Sequence, residues 1–293
     1  MIYASQRSTP SLAAVIELLK PITWFPPMWA FACGVVSSGV PVAGAAGRIF
    51  IGILIAGPLV CAASQAVNDW FDRDVDALNE PQRPIPSGRI PGQWGLAIAI
   101  GWSLLSLAVA APLGSVVLGA TALGLVLAWA YSAPPLRLKQ NGWWGNAACG
   151  LCYEGLAWTT GAALMLGTLP SPRILLLALL YSIAAHGIMT LNDFKSIEGD
   201  KRTGIASLPV QLGSERAARV ACAFMLVPQL VVIVSLIAWS AMPYAIVIAV
   251  SVVLQLACMR RLVEDPRRHA PWYNATGVSL LVLGMLVAAI AVR

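Results

Sequence analysis

Phe50-Ile-Gly-Ile-Leu-Ile-Ala-Gly-Pro-Leu-Val-Cys-Ala-Ala-Ser-Gln-Ala-Val-Asn68-Asp69-Trp-Phe-Asp72-Arg-Asp-Val-Asp76 joins two kinds of sequence that seldom meet. Eighteen residues carry no charge, and the next nine carry four carboxylates. The uncharged run approaches the ~20 apolar residues that a helix needs to cross lipid. The stretch therefore reads as a membrane helix that runs out into water with its acidic end exposed. A related cassette, Asn192-Asp193-Phe-Lys-Ser196-Ile-Glu-Gly-Asp200, ends a second apolar run. Carboxylates are scarce elsewhere: of 13 Asp+Glu, seven fall inside the two cassettes.

The rest of the chain agrees. It is 58% hydrophobic and 11% charged, with mean hydropathy +0.76, far from the ~25% charged residues of soluble domains. The expected fold is all-α: a polytopic membrane protein of nine helices around a central cavity, with cytoplasmic loops over the active site. The spans fall near 22–40, 49–68, 93–112, 114–133, 144–166, 173–192, 217–239, 241–259 and 272–292. The first follows Lys20 and lacks a small-residue cleavage site, so it reads as retained. With the N-terminus cytoplasmic, 16 of the 19 Lys+Arg lie on the inner side and only Arg48, Arg173 and Arg293 outside. This asymmetry fits the positive-inside rule and sends the C-terminus to the far, periplasmic side. Both cassettes then face the cytoplasm.

No long polar linker divides the chain, so residues 1–293 read as a single domain. The repeated cassette suggests internal duplication, with spans two to five matching six to nine. The net charge of +6 is explained by topology, which leaves nucleic acid no role as a partner; membrane lipid is the surrounding phase. Six cysteines lie in apolar runs, and Cys149-Gly-Leu-Cys152 reads as helix packing more readily than as a redox or metal motif.

Helical spacing places i, i+3, i+4 and i+7 on one side. Asn68, Asp69, Asp72 and Asp76 are thus expected to converge, as are Asn192, Asp193, Ser196 and Asp200. Oxygen-rich helix ends suit a hard cation, and Mg²⁺ is usually held by one or two carboxylates together with substrate phosphates. The EF-hand pattern of a Ca²⁺ loop is absent. Two facing clusters suit a Mg²⁺-bridged diphosphate.

These residues resemble the UbiA-type intramembrane prenyltransferases, whose first signature NDxxDxxxD matches residues 68–76 and whose second aspartate motif matches the position of 192–200. The resemblance covers nearly the whole chain. Trp24-Phe-Pro-Pro-Met-Trp-Ala-Phe31, Tyr131-Ser-Ala-Pro-Pro-Leu-Arg-Leu-Lys-Gln-Asn-Gly-Trp143 and the second cassette look like the chlorophyll and bacteriochlorophyll synthase branch. Trp143-Trp-Gly-Asn-Ala147 and Tyr153-Glu-Gly-Leu-Ala-Trp158 lean to the bacteriochlorophyll side. Ser196 departs from a perfect second copy, which would have aspartate there, and makes the two expected metal sites unequal.

The resemblance implies a Mg²⁺-dependent transfer of a geranylgeranyl or phytyl group from its diphosphate to the propionate of bacteriochlorophyllide or chlorophyllide, in a bacterial inner, photosynthetic membrane, with room for pigment-handling protein partners. It implies catalytic roles for Asp69, Asp72, Asp76, Asp193 and Asp200. Asn68, Asp69, Asp72 and Asp76 would hold one ion, and Asn192, Asp193 and Asp200 the other. Arg83, Tyr131, Arg137, Lys139, Lys195, Lys201 and Arg202 are candidates for the diphosphate, since cationic donors grip phosphate oxygens. Glu154, the only acidic residue inside a predicted span, and His186, seven residues before Asp193, are candidates for the pigment. Trp129, Trp143, Trp144 and Trp158 could shield a carbocation through their ring faces. A quinone or haem prenyltransferase would alkylate a ring or vinyl group instead. A duplicated secondary transporter would place such carboxylates near the bilayer midplane, and a pigment scaffold would not need two acidic clusters.

Overall fold

The computed structural model describes residues 9–293; Arg7, counted above among the inner cations, lies outside them. Among the described residues the chain is helical, and its one β feature is an isolated bridge between Asn141 and Ala206. The helices are α1 (Leu12–Leu19), α2 (Phe25–Ser37), α3 (Ala46–Asn79), α4 (Trp94–Leu113), α5 (Ser115–Ser132), α6 (142–166), α7 (Pro172–Asp193), α8 (Ile197–Thr203), α9 (Leu208–Leu212), α10 (Ser214–Ala238), α11 (Met242–Glu264) and α12 (Pro266–Ala291).

Seven of these are long and apolar enough to cross a membrane: α3, α4, α5, α7, α10, α11 and α12. Nine were expected. The difference lies in α2, whose 13 residues are apolar but short, and in α6, where Asn146, Glu154, Thr159, Thr160 and several glycines dilute the apolar character of a helix that is otherwise long enough. Outward faces carry Leu104, Val126, Val234, Val253 and Leu283 exposed. Apolar surface of this kind is what a lipid solvent leaves unpaired.

The cassette helix α3 is 34 residues long, or ~51 Å at 1.5 Å per residue, against a hydrocarbon core of ~30 Å. Its acidic end therefore projects past the lipid. Two π-helical turns interrupt the cavity-facing helices, Ile55–Cys61 in α3 and Leu151–Leu156 in α6. The first surrounds Pro58, which cannot donate to the ladder, and Trp102 Nε1 donates to the Pro58 carbonyl at 2.9 Å. Each extra residue shifts the helix face, and such turns are frequent at functional sites.

Small residues bring α2 against α6. A Cβ on Gly34 would lie 2.0 Å from the Trp158 carbonyl oxygen, and one on Gly161 would lie 2.1 Å from that of Phe31. Helix association inside lipid relies on such close packing because there is no hydrophobic drive between helices. Gly161→Leu should push α2 from α6 and destabilise the protein by at least the ~1–3 kcal/mol typical of overpacking, read as a lowered midpoint of thermal unfolding in detergent.

Candidate active site

The two cassette helices end beside each other over one polar chamber of about 210 Å³. Asn68 and Asp72 reach it from α3, Tyr131 from α5, Asn146 from α6, Asp193 from α7, and Lys139, Asp200 and Ser207 from the connecting segments and α8. Its rim is stapled by backbone. Gly142 N donates to Ala206 O at 2.8 Å, and Ala206 N to Gln140 O at 2.9 Å, so the loop after α5 is tied to the loop after α8. Only glycine fits at 142, where a Cβ would come within 2.6 Å of Leu208 N.

Charge in the chamber is partly matched. Lys139 Nζ lies 2.5 Å from Asp72 Oδ2, and Arg137 donates to Asp72 Oδ1 at 3.3 Å. Burial pulls the Lys139 ammonium below its ordinary pKa, a shift that Asp72 opposes. Asp200 Oδ2 accepts from Ser207 Oγ at 2.7 Å and from Ser196 Oγ at 3.1 Å. Ser196 therefore orients Asp200 where an aspartate would have repelled it. Asp193 Oδ2 is buried with no hydrogen-bond partner.

The expected single face of the first cassette splits in two. On a 100° wheel Asp69 and Asp76 sit close together at one edge of the stripe, Asn68 at the opposite edge and Asp72 between them. Asp69, 1% exposed, turns to Lys20 Nζ at 2.6 Å. Arg83 lies 2.9 Å from Asp76 and 3.5 Å from Asp69, and also pairs with Glu80. Asp69, Asp76 and Arg83 thus form a cluster behind the chamber, outside its lining. Arg83 keeps a pKa above its ordinary value; Asp69 leads the three carboxylates that offset its desolvation.

Other expected residues are placed as follows. Lys195, Lys201 and Arg202 are exposed and do not line the chamber. Asn192 lines a second, deeper space of about 360 Å³ that Asn68 and Tyr131 also border. Its walls are mostly apolar, and it continues into a small void of about 30 Å³ past Ala56, Val60 and Cys152. Glu154 is buried outside these cavities, with one carboxylate oxygen unpartnered. His186 also lies outside them, its Nε2 3.2 Å from the Trp143 carbonyl and its ring stacked on Phe224 at 4.1 Å. None of Trp129, Trp143, Trp144 and Trp158 lines these three spaces; Trp158 is stacked on Tyr181 in the core.

Sequence reasoning missed Asn146, Ser207 and Lys20. Asn146 carried a readable signal, a buried polar residue one turn after the Gly142 that begins α6. Ser207 and Lys20 carried none, because their partners are brought to them by the fold.

The arrangement suits a Mg²⁺ ion without caging it. Among the described residues no three His, Cys, Asp or Glu side chains form a ready-made site. An unpartnered buried carboxylate oxygen is costly, however, and that of Asp193 lines the same chamber as Asp72 and Asp200. Magnesium takes one or two carboxylates and leaves its other positions to water and phosphate oxygens, so the donor set fits an ion shared with a diphosphate.

Residues 19–291 match the model of the UbiA prenyltransferase family, and the chain belongs to that family. It is 54% identical over 287 residues to the bacteriochlorophyll synthase 33 kDa chain of Cereibacter sphaeroides, covering 98% of this chain and 95% of that one. It is 40% identical over 291 residues to the chloroplastic chlorophyll synthase of Arabidopsis thaliana, covering 94% and 73%. The solved structure of a UbiA homolog from Archaeoglobus fulgidus bound to DMAPP and Mg²⁺ has the same fold, with TM-score 0.68 at 21% identity, covering 96% of this chain and all of that one.

The rear cluster yields a test. Lys20→Met leaves Asp69 with only the more distant Arg83 and should cost about 1.5–3 kcal/mol, the range for a hydrogen bond to a charged group. Adding Asp69→Asn should restore most of the loss, as measured by thermal unfolding of the two proteins in detergent.

Proposed function

We propose that this protein transfers a geranylgeranyl or phytyl group from its diphosphate to the propionate carboxylate of bacteriochlorophyllide, in a Mg²⁺-dependent reaction at the cytoplasmic edge of a bacterial inner membrane. The observation that carries the reading is the junction of two unlike spaces. A polar chamber bearing three carboxylates and a mostly apolar cavity lie side by side, with Asn68 and Tyr131 bordering both. A lipid diphosphate has the same division, and its scissile bond then falls at that junction. Greater identity to the bacteriochlorophyll synthase than to the chlorophyll synthase favours bacteriochlorophyllide over chlorophyllide as acceptor.

Asn68 and Asp72 on one side, and Asp193 and Asp200 on the other, would hold Mg²⁺, with Asp69 and Asp76 supporting the cassette helix from behind. When bound, the metal neutralises charge that gathers on the departing diphosphate. Lys139 and Arg137, already poised at Asp72, grip phosphate oxygens as a point charge and a planar fork. Tyr131 lines both spaces and its hydroxyl orients the headgroup at the boundary. The apolar walls hold the tail and exclude water that would capture the allylic cation. The acceptor is a carboxylate, ionised at neutral pH, so no general base is required.

The same reading includes nine spans, with α2 and α6 crossing beside the seven longer helices, a cytoplasmic N-terminus and a periplasmic C-terminus. It also includes a single domain of duplicated halves. Incubation of the membrane-embedded protein with Mg²⁺, bacteriochlorophyllide or chlorophyllide, and each diphosphate, followed by chromatography, tests the activity. Asp72→Ala should abolish ester formation while pigment binding, read by absorbance titration, survives; substantial turnover by that variant would contradict the assignment.

A further inference from the structure

Within the apolar cavity one pair of polar groups has no part in the chemistry above. Gln65 of α3 and Tyr153 of α6 meet across it, with Gln65 Nε2 donating to Tyr153 Oη at 3.2 Å, and both line the space. The amide keeps a second N–H. The phenol keeps its own proton: in its contact with Cys61, at 3.5 Å, the thiol donates to the phenol oxygen, so the proton finds no acceptor there. That sulfur has another use for its hydrogen, since it also lies 3.4 Å from the Thr23 carbonyl. Two strong donors, about one hydrogen bond apart, therefore share a cavity wall without a strong acceptor.

Their height in the cavity matters as much as their chemistry. Gln65 precedes Asn68 by three residues, which is ~4.5 Å along a helix axis. Asn68 borders both spaces, so the pair sits just to the tail side of the junction. An allylic carbon leaving its diphosphate there meets its nucleophile at this level.

We propose that the Gln65 amide and the Tyr153 hydroxyl form the fork that binds the acceptor's carboxylate and holds it against the allylic carbon. The proposal rests on the carboxylate-acceptor reading given above. A carboxylate drawn from water into an apolar cavity needs hydrogen-bond donors to offset its desolvation. A Lys or Arg in that position would stand beside the developing carbocation and oppose it in a low dielectric; neutral donors hold the nucleophile without that cost. In the step itself one carboxylate oxygen forms a bond to the allylic carbon while the bond from that carbon to the diphosphate oxygen breaks. The electron pair leaves on the diphosphate, and no proton moves. The ester product is a weaker acceptor than the carboxylate, so the fork releases it.

The experiment compares wild type with Tyr153→Phe and Gln65→Leu, full-length in lipid nanodiscs with Mg²⁺. KM for bacteriochlorophyllide should rise about ten- to a hundredfold, as expected for losing a hydrogen bond to a charged group. The affinity for geranylgeranyl diphosphate, measured by calorimetry, should stay at the wild-type value, which also reports that the variants are folded. A pigment whose propionate is a methyl ester serves as an unreactive competitor. Wild type should bind the free acid more tightly than the ester, and Tyr153→Phe should bind the two alike. An unchanged acceptor KM, acid–ester discrimination retained by Tyr153→Phe, or diphosphate binding lost in both variants would each overturn the fork. Failure of wild type to esterify any carboxylate pigment would overturn the acceptor reading and the fork with it; ester formation by wild type matched by both variants would overturn the fork alone.

Discussion

Charge placed beside lipid has to be matched, and this requirement organises the molecule. A carboxylate removed from water loses several kcal/mol of solvation that only a cation or convergent hydrogen-bond donors restore. The two cassettes meet the requirement in different ways. Asp69 and Asp76 are neutralised permanently by Lys20 and Arg83. Asp72 has a provisional partnership with Lys139 and Arg137, and Asp200 is held by two serine hydroxyls that carry no charge. Asp193 keeps an oxygen with nothing to bond. Cations thus face the carboxylates at the back of the cassette helix, although one Asp69 oxygen still lacks a partner there; at its front, where the chamber lies, Asp193 and Asp200 form no ion pair among the described residues.

The same economy shapes the space below. Glycines at 34 and 161 bring α2 and α6 into backbone contact, which closes one side of the bundle tightly. The π-turns at 55–61 and 151–156 lie on the cavity side, where Val60, Cys61, Cys152 and Tyr153 from them line the space. Local irregularity therefore sits beside the binding space and regular packing sits away from it. Such irregular backbone is tolerated at membrane depth because it lines a cavity or is buried in protein.

Much of this was legible beforehand. The alternation of uncharged runs with basic or acidic loops gave the helical class and the order of spans, because burial in lipid imposes length and composition together. The boundaries of α7 followed, as did the shared side of Asn68 and Asp72, since helical periodicity is a property of the local chain, whereas α3 runs on to Asn79, well past the 49–68 span. The placement of individual side chains was not legible. Asp69 read as a member of the metal face because spacing alone treats a 100° step as tolerable, and Lys195, Lys201 and Arg202 read as headgroup ligands because proximity in sequence was taken for proximity in space. Glu154 read as a pigment contact from its rarity inside a span and His186 from its spacing to Asp193, yet neither signal says toward which neighbour a side chain turns.

Sequence by itself determined that this chain is a helical membrane protein with two acidic helix ends, because hydrophobic length, charge asymmetry and helical period are set by residues near one another in the chain. Tertiary structure decided which of the acidic residues share a chamber, that Ser196 and Ser207 hold Asp200, and that Gln65 faces Tyr153. Those pairings join residues from 4 to 88 positions apart. At the long end of that range the angle at which packed helices cross determines which side chains meet, and no local pattern encodes that angle.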